Sequence, residues 1–177
     1  MTLKARFARK VSRMGVGRKM AGWGRKTKKP WFSEGVQFTC LPGCGRCCDQ
    51  PGGVVYLTKN DAKRVAEHLK MDVEEWLERD CRRSSDGRWV LSSNKKDGSC
   101  IYLQDDRGCG IYPSKPAQCS AFPWWNENMR SDREWRKTVA LCPGLVQPDA
   151  EIISLPIIQM HLQADAEAEK GFREWSD

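Results

Sequence analysis

The chain has 177 residues and carries 30 Lys or Arg against 23 Asp or Glu, a formal net charge of +7. With a mean hydropathy of −0.66 and 40% hydrophobic residues, it offers no apolar run near the roughly 20 residues that a membrane-spanning helix needs, so a span is excluded. The charge is uneven, because residues 1–30 hold eleven basic side chains and no acidic one, leaving nineteen basic against twenty-three acidic elsewhere.

Residues 1–30 read as a basic, solvated N-terminal tail, and residues 31–177 as one domain with a single core. Within the tail, Leu3, Phe7, Val11, Met14 and Val16 are spaced for a short helix. No apolar stretch of about 7–15 residues follows the basic start, so a secretory signal is not expected. That places the chain in the cytoplasm, with an organelle-targeting role for the tail as the alternative. The same charge suits an arm that docks on RNA, an acidic partner or a membrane surface.

Beyond a Gly- and Pro-rich loop over 40–53, Val54 to Leu57 can form a short strand. Thr58 and Asp61 make a capping box for a helix to about Lys70, with Ala62, Val65, Ala66 and Leu69 on one face. Asp72 and Glu75 open a second helix that turns Val73, Trp76 and Leu77 inward. Arg88–Leu91 and Cys100–Leu103 read as the two strands of a hairpin with a long loop. Cys109–Tyr112 could add a short strand, and Pro113, Pro116 and Pro123 predict irregular chain thereafter. Residues 156–175 read as a helix with Ile157, Ile158, His161, Leu162, Phe172 and Trp175 packed. The fold class is therefore α+β: a small, loop-rich, metal-stapled domain with two early helices, short strands and a C-terminal helix.

Nine cysteines in a chain expected to meet a reducing compartment point to metal rather than disulfides. Cys40, Cys44, Cys47 and Cys48 form a C-x3-C-x2-C-C run whose glycines permit the positive φ and close backbone approach of a metal knuckle. Thiolates ligate zinc at about 2.3 Å and also hold iron–sulfur clusters. Cys100, Cys109, Cys119 and Cys142 stand beside turn formers, as ligands from separate segments would. Adjacent side chains tend to diverge, so Cys47 and Cys48 imply either two centres or one centre with a non-ligand in the pair. Some cysteines could instead be buried small hydrophobes. Cys81, at a helix end without a turn or partner, reads as that or as a free thiol.

Cys40 to Cys48, Gly98-Ser-Cys100-Ile-Tyr-Leu, Cys109-Gly-Ile-Tyr-Pro, Lys115-Pro-Ala-Gln-Cys119 and Cys142-Pro-Gly, in this order, resemble the YkgJ-type cysteine-cluster family over roughly residues 38–145. The resemblance implies a zinc- or iron-chelating domain, and a similar region occurs in flagellin lysine N-methylases. Lys115 and Ser120 stand where the family usually has arginine, so a bidentate guanidinium is replaced by a point charge at the first place and lost at the second.

The C-x3-C-x2-C spacing also occurs in radical S-adenosylmethionine enzymes, but the repeated βα pattern of their barrel is missing. Two alternatives to simple metal binding remain at this stage. One is an iron–sulfur-dependent enzyme resembling a protein lysine methyltransferase; no Gly-rich nucleotide loop or acid–base pair supports it, and an enzyme is not favoured. The other is a metal-stapled module that binds RNA or protein through the tail. His68 and His161 both fall on predicted helices and are weak ligand candidates. The eight tryptophans, with Phe122-Pro-Trp124-Trp125 beside Cys119, are expected to fill the core and shield the metal rather than form a contact surface.

Overall fold

Thr58 starts the first helix by exchange: its hydroxyl accepts the Asp61 amide while the Asp61 carboxylate accepts the Thr58 amide, satisfying two end donors at once. In the computed structural model, which describes residues 29–176, helix α1 spans Lys59–Leu69 and buries Ala62, Val65 and Ala66. Helix α2, Val73–Asp80, packs against it and buries Trp76 and Leu77. Asp72 caps α2 without a side-chain hydrogen bond. The short helix expected at the start of the chain lies outside the described residues.

Among the described residues, four short strands form two antiparallel pairs. β1 (Val36–Gln37) pairs with β4 (Ile152–Ile153), with Val36 opposite Ile153, and so joins the two ends of the domain. β2 (Cys81–Arg83) pairs with β3 (Trp89–Leu91), with Cys81 opposite Leu91. The expected hairpin between Arg88–Leu91 and Cys100–Leu103 is thus corrected. The nearer partner wins because the turn at Ser84–Gly87 closes a short loop, with Ser84 N–H donating to the Arg88 carbonyl and Gly87 at φ 85°. Cys100 keeps one bridge, to Ser93. Val54 to Leu57 lies along β3 through a bridge at Tyr56 and the Leu57–Trp89 and Leu91–Val55 backbone bonds.

Cys109 makes a single bridge to Leu103, and Tyr112–Ser114 is a 3-10 turn rather than the end of a strand. Pro116 does not prolong an irregular stretch. It caps the short helix α3, Ala117–Ala121, where a missing N–H costs nothing. Sequence reading also passed over α4 (Asn126–Met129) and α5 (Asp132–Leu141). Ser131 accepts the Glu134 amide at the start of α5, and the Ser131-x-x-Glu134 pattern was the signal for it. Helix α6, Leu155–Lys170, stops at Gly171 (φ 57°), and Phe172 packs beyond the helix.

The expected single core is divided. One buried cluster gathers Val65 of α1, Trp76 of α2 and Leu91 of β3 with Leu57, Ile111 and Phe172 from the segments around them. A second gathers Trp124, Met129 and Ile158, with Phe38, Trp135 and Leu145 against it. Trp124 stacks on Trp135 at 5.9 Å and meets Phe38 edge-on at 5.7 Å. The cysteine-bearing loops touch both clusters, since Cys100 and Cys109 pack on the first while Phe38 and Leu145 flank Cys40 and Cys142 beside the second. The polar backbone of these loops must find hydrogen-bond partners and interrupts the apolar packing between the two clusters.

Candidate metal centre

The run from Cys40 to Cys48 is shaped by two glycines in the left-handed region, Gly43 at φ 67° and Gly45 at φ 57°. A side chain at Gly45 would stand 2.7 Å from the Arg107 carbonyl oxygen, so the knuckle lies directly on the loop that leads to Cys109. Arg107 secures that contact with an ion pair to Asp49 at 2.8 Å. Cys100 donates its amide to the Cys48 carbonyl at 2.8 Å, bringing the second block alongside the first. At the other end, Thr39 donates to the Gly144 carbonyl at 3.1 Å, and a Cβ on Gly144 would fall 1.9 Å from the Thr39 oxygen. That close approach, available to glycine alone, places Cys142 beside Cys40.

A cavity of about 490 Å3 collects the results of these contacts. Cys40, Cys44, Cys47, Cys48, Cys100, Cys109 and Cys119 all line it. Cys142 lines a smaller space of about 140 Å3 together with Cys40, Cys44, Cys47 and Cys119. The eight cysteines named from the sequence therefore line two spaces that share wall residues, while Cys81 lies apart, buried in the first apolar cluster. Among the described residues no three His, Cys, Asp or Glu side chains are already closed to metal-ligating distances. The closest approach of note is Cys47 to Cys48, whose sulfurs are 3.9 Å apart. That separation is a thiol–thiol hydrogen bond, and it keeps the two adjacent sulfurs in contact.

The thiols are electrostatically uneven. A hydrogen bond from Cys48 lowers Cys47 to about 7, with burial opposing and Lys115 assisting. The same bond, together with burial, drives Cys48 far up. Burial also raises Cys40, Cys100 and Cys142, and raises Cys119 well above the ordinary thiol value. Lys115 works against the rise at Cys40 and Cys119. It lines both sulfur-rich cavities, sits 4.3 Å over the Tyr112 ring and makes no ion pair among the described residues. As the cation facing the thiols, Lys115 had drawn notice in the sequence only as a departure from arginine. Arg107, which ties the knuckle to the later loop, had drawn none, because its role depends on a tertiary contact.

Tyr102, between Cys100 and Cys109, is held from below. Its hydroxyl donates to Asp80 and accepts Trp76 Nε1 at 2.7 Å, while Arg79 grips Asp80 through two bonds of 2.9 and 2.7 Å. Burial works against ionisation of Asp80, but Arg79 and Tyr102 outweigh it and hold the carboxyl below its ordinary value. Neither histidine joins the cavities. His68 is exposed on α1, and His161 is half-buried on α6, where burial, then the Lys115 charge, lower its pKa.

An α+β domain whose interior is lined with thiols defines a metal-chelating class, and the sequence places it further. The chain belongs to the CxxCxxCC family, described as "Putative zinc- or iron-chelating domain", whose model matches residues 39–143 and so takes in all nine cysteines. An uncharacterized protein of Methanocaldococcus jannaschii is 30% identical over 101 residues, covering 56% of this chain and 52% of its own length. The chain thus spans about half the length of that curated relative. No solved structure matches.

Proposed function

We propose that this protein holds a polynuclear zinc or iron centre through Cys40, Cys44, Cys47, Cys48, Cys100, Cys109, Cys119 and Cys142. The observation that carries the reading is the shared cavity: seven thiols line one space of about 490 Å3, and the eighth enters an adjoining space that four of them also line. One tetrahedral ion uses four sulfurs, and a structural site for it is closed and small. Eight sulfurs around a space this large suit more than one metal ion, either as bridged zinc or as iron with sulfide. Lys115 supports the reading by offsetting the negative charge that an all-thiolate centre accumulates.

Elemental analysis and a visible absorption spectrum on protein purified without oxygen test this directly. Two or more zinc ions per chain, or iron with acid-labile sulfide, are expected. Cys44→Ser and Cys47→Ser should each lose most of that metal, and Cys81→Ser should keep it. A single zinc per chain that survives both of the first two substitutions would overturn the assignment.

A further inference from the structure

Helix α6 is apolar on two sides. One side carries Ile158, Leu162 and Ala168 and faces α3, α4 and the second apolar cluster. The other carries Ile157, Met160 and Ala164, whose i, i+3, i+7 spacing lines them up as one stripe. Among the described residues nothing covers that stripe: Ile157 is 41% and Met160 63% exposed. A helix that is apolar all round is ordinarily covered all round, so the outer side of α6 is short of a partner.

The chain itself supplies one. Residues 1–28 join the domain beside this helix, because Phe32 and Val36 pack on the cluster that holds Ile158. A Cβ at Gly35 would stand 2.6 Å from Ile152 Cγ2, three residues before the start of α6. Fifteen residues separate Met14 from Lys29. At about 3.3 Å each they reach up to about 50 Å, which exceeds the length of about 24 Å that 16 helical residues occupy.

Pattern and charge match as well. Leu3, Phe7, Val11 and Met14 recur at helical spacing on one face, with Arg6, Lys10 and Arg13 along its flank. Residues 1–30 hold eleven basic side chains and no acidic one. On the receiving side, Glu167 continues the Met160 face, and Glu151 and Glu169 stand exposed toward the two ends of α6. A second copy of the protein is a poorer fit, since three side chains on two turns offer a fraction of the roughly 800 Å2 per partner that a stable interface buries. A tethered segment escapes that requirement, because it meets the stripe at an effective concentration on the order of mM.

We propose that residues 3–14 dock on the outer side of α6 as an amphipathic helix, with Leu3, Phe7, Val11 and Met14 against Ile157, Met160 and Ala164 and the basic flank toward Glu167. The docking uses none of the thiols and goes beyond the metal reading.

Limited trypsin digestion of the full-length protein tests it, with cleavage after Arg13 followed by mass spectrometry. When opening and reclosing outpace cleavage, the rate follows the undocked population, so Met160→Asp and Phe7→Ser should each speed cleavage about tenfold. Because the two side chains meet in one contact, the double variant should be cut no faster than either single one. Val146→Asp, at an apolar position away from α6 that is 61% exposed, should leave the rate unchanged. Phe7→Ser lies outside the described domain and keeps the test open should Met160→Asp disturb the fold. Equal rates for the wild type and Phe7→Ser, or fully additive effects in the double variant, would overturn the proposal. So would protection that grows with protein concentration, which marks a second copy as the occupant, or protection that appears only when phosphatidylserine vesicles or RNA are added.

Discussion

Cys47 is the residue on which the site turns. It lines both cavities around the sulfurs, and its partner in hydrogen bonding is its own neighbour, Cys48. A thiol lowered to about 7 among others raised by burial ionises first and so offers the entering metal its first ligand. The rest must be stripped of protons by the metal itself. The sign follows: because Cys40, Cys48, Cys100, Cys119 and Cys142 are raised, protons compete for them at neutral pH, and metal affinity falls as pH falls. Each thiol displaced contributes about tenfold per pH unit, so the logarithm of affinity should rise with a slope of about three or more between pH 6 and pH 8. Chelator competition across that range measures the slope, and a value near zero would mean that the thiols are not the ligands. At this scale the sequence was highly legible. Close spacing and glycine punctuation identified the eight cysteines that surround the cavities and set Cys81 apart, whereas Arg107 draws its meaning from Asp49 and Cys44, more than fifty residues away.

The elements position those residues through a few polar contacts. Tyr102 joins α2 to the loop between Cys100 and Cys109, and Asp165 on α6, 1% exposed, accepts Gln118 Nε2 at 2.9 Å and the Asn126 amide at 2.7 Å, holding α3 and α4 beside it. Tyr102→Phe removes a hydroxyl that serves both Asp80 and Trp76, leaving buried groups short of a partner. Such a loss costs about 1–3 kcal/mol, which chemical denaturation of the metal-loaded protein would show, with the metal retained at saturation. The acid limb carries the same signature. Asp80 is depressed in the folded state, so its contribution is present above the unfolded value of about 3.9 and is lost as pH falls through the folded one. Helices with their own caps were readable, as Thr58 and Asp61 show for α1. The β2–β3 pairing was not, because Arg88–Leu91 has strand character whichever neighbour it takes, and the choice was made by the tight turn at Ser84–Gly87. Proline misled at Pro116, where a helix start and an irregular stretch look alike in one dimension.

The described residues pack as two apolar clusters with sulfur-bearing loops that touch both. Because loops from separate parts of the chain converge on the thiols, metal binding is expected to contribute to the folding free energy. Chelation should therefore lower the melting temperature sharply and erase the near-ultraviolet signal of the stacked Trp124 and Trp135, and metal should restore both. A protein whose melting temperature is unmoved by complete metal removal would show that the clusters suffice alone. That the sequence suggested one core and the structure has two follows from the cysteines themselves: their positions mark ligands, but not the apolar packing that their loops interrupt.

The pairing of β1 with β4, and of Thr39 with Gly144, also sets an order of events during synthesis. Cys40 to Cys48 leave the ribosome before Cys142, which follows about a hundred residues later, and at about 5–20 residues per second that is a delay of some 5–20 seconds. Cys100, Cys109 and Cys119 join the first four thiols within that interval, but the contact that brings in Cys142 comes last. The earliest metal they meet is bound by a half-built site, so the ion that remains is decided by exchange when Gly144 finally closes against Thr39.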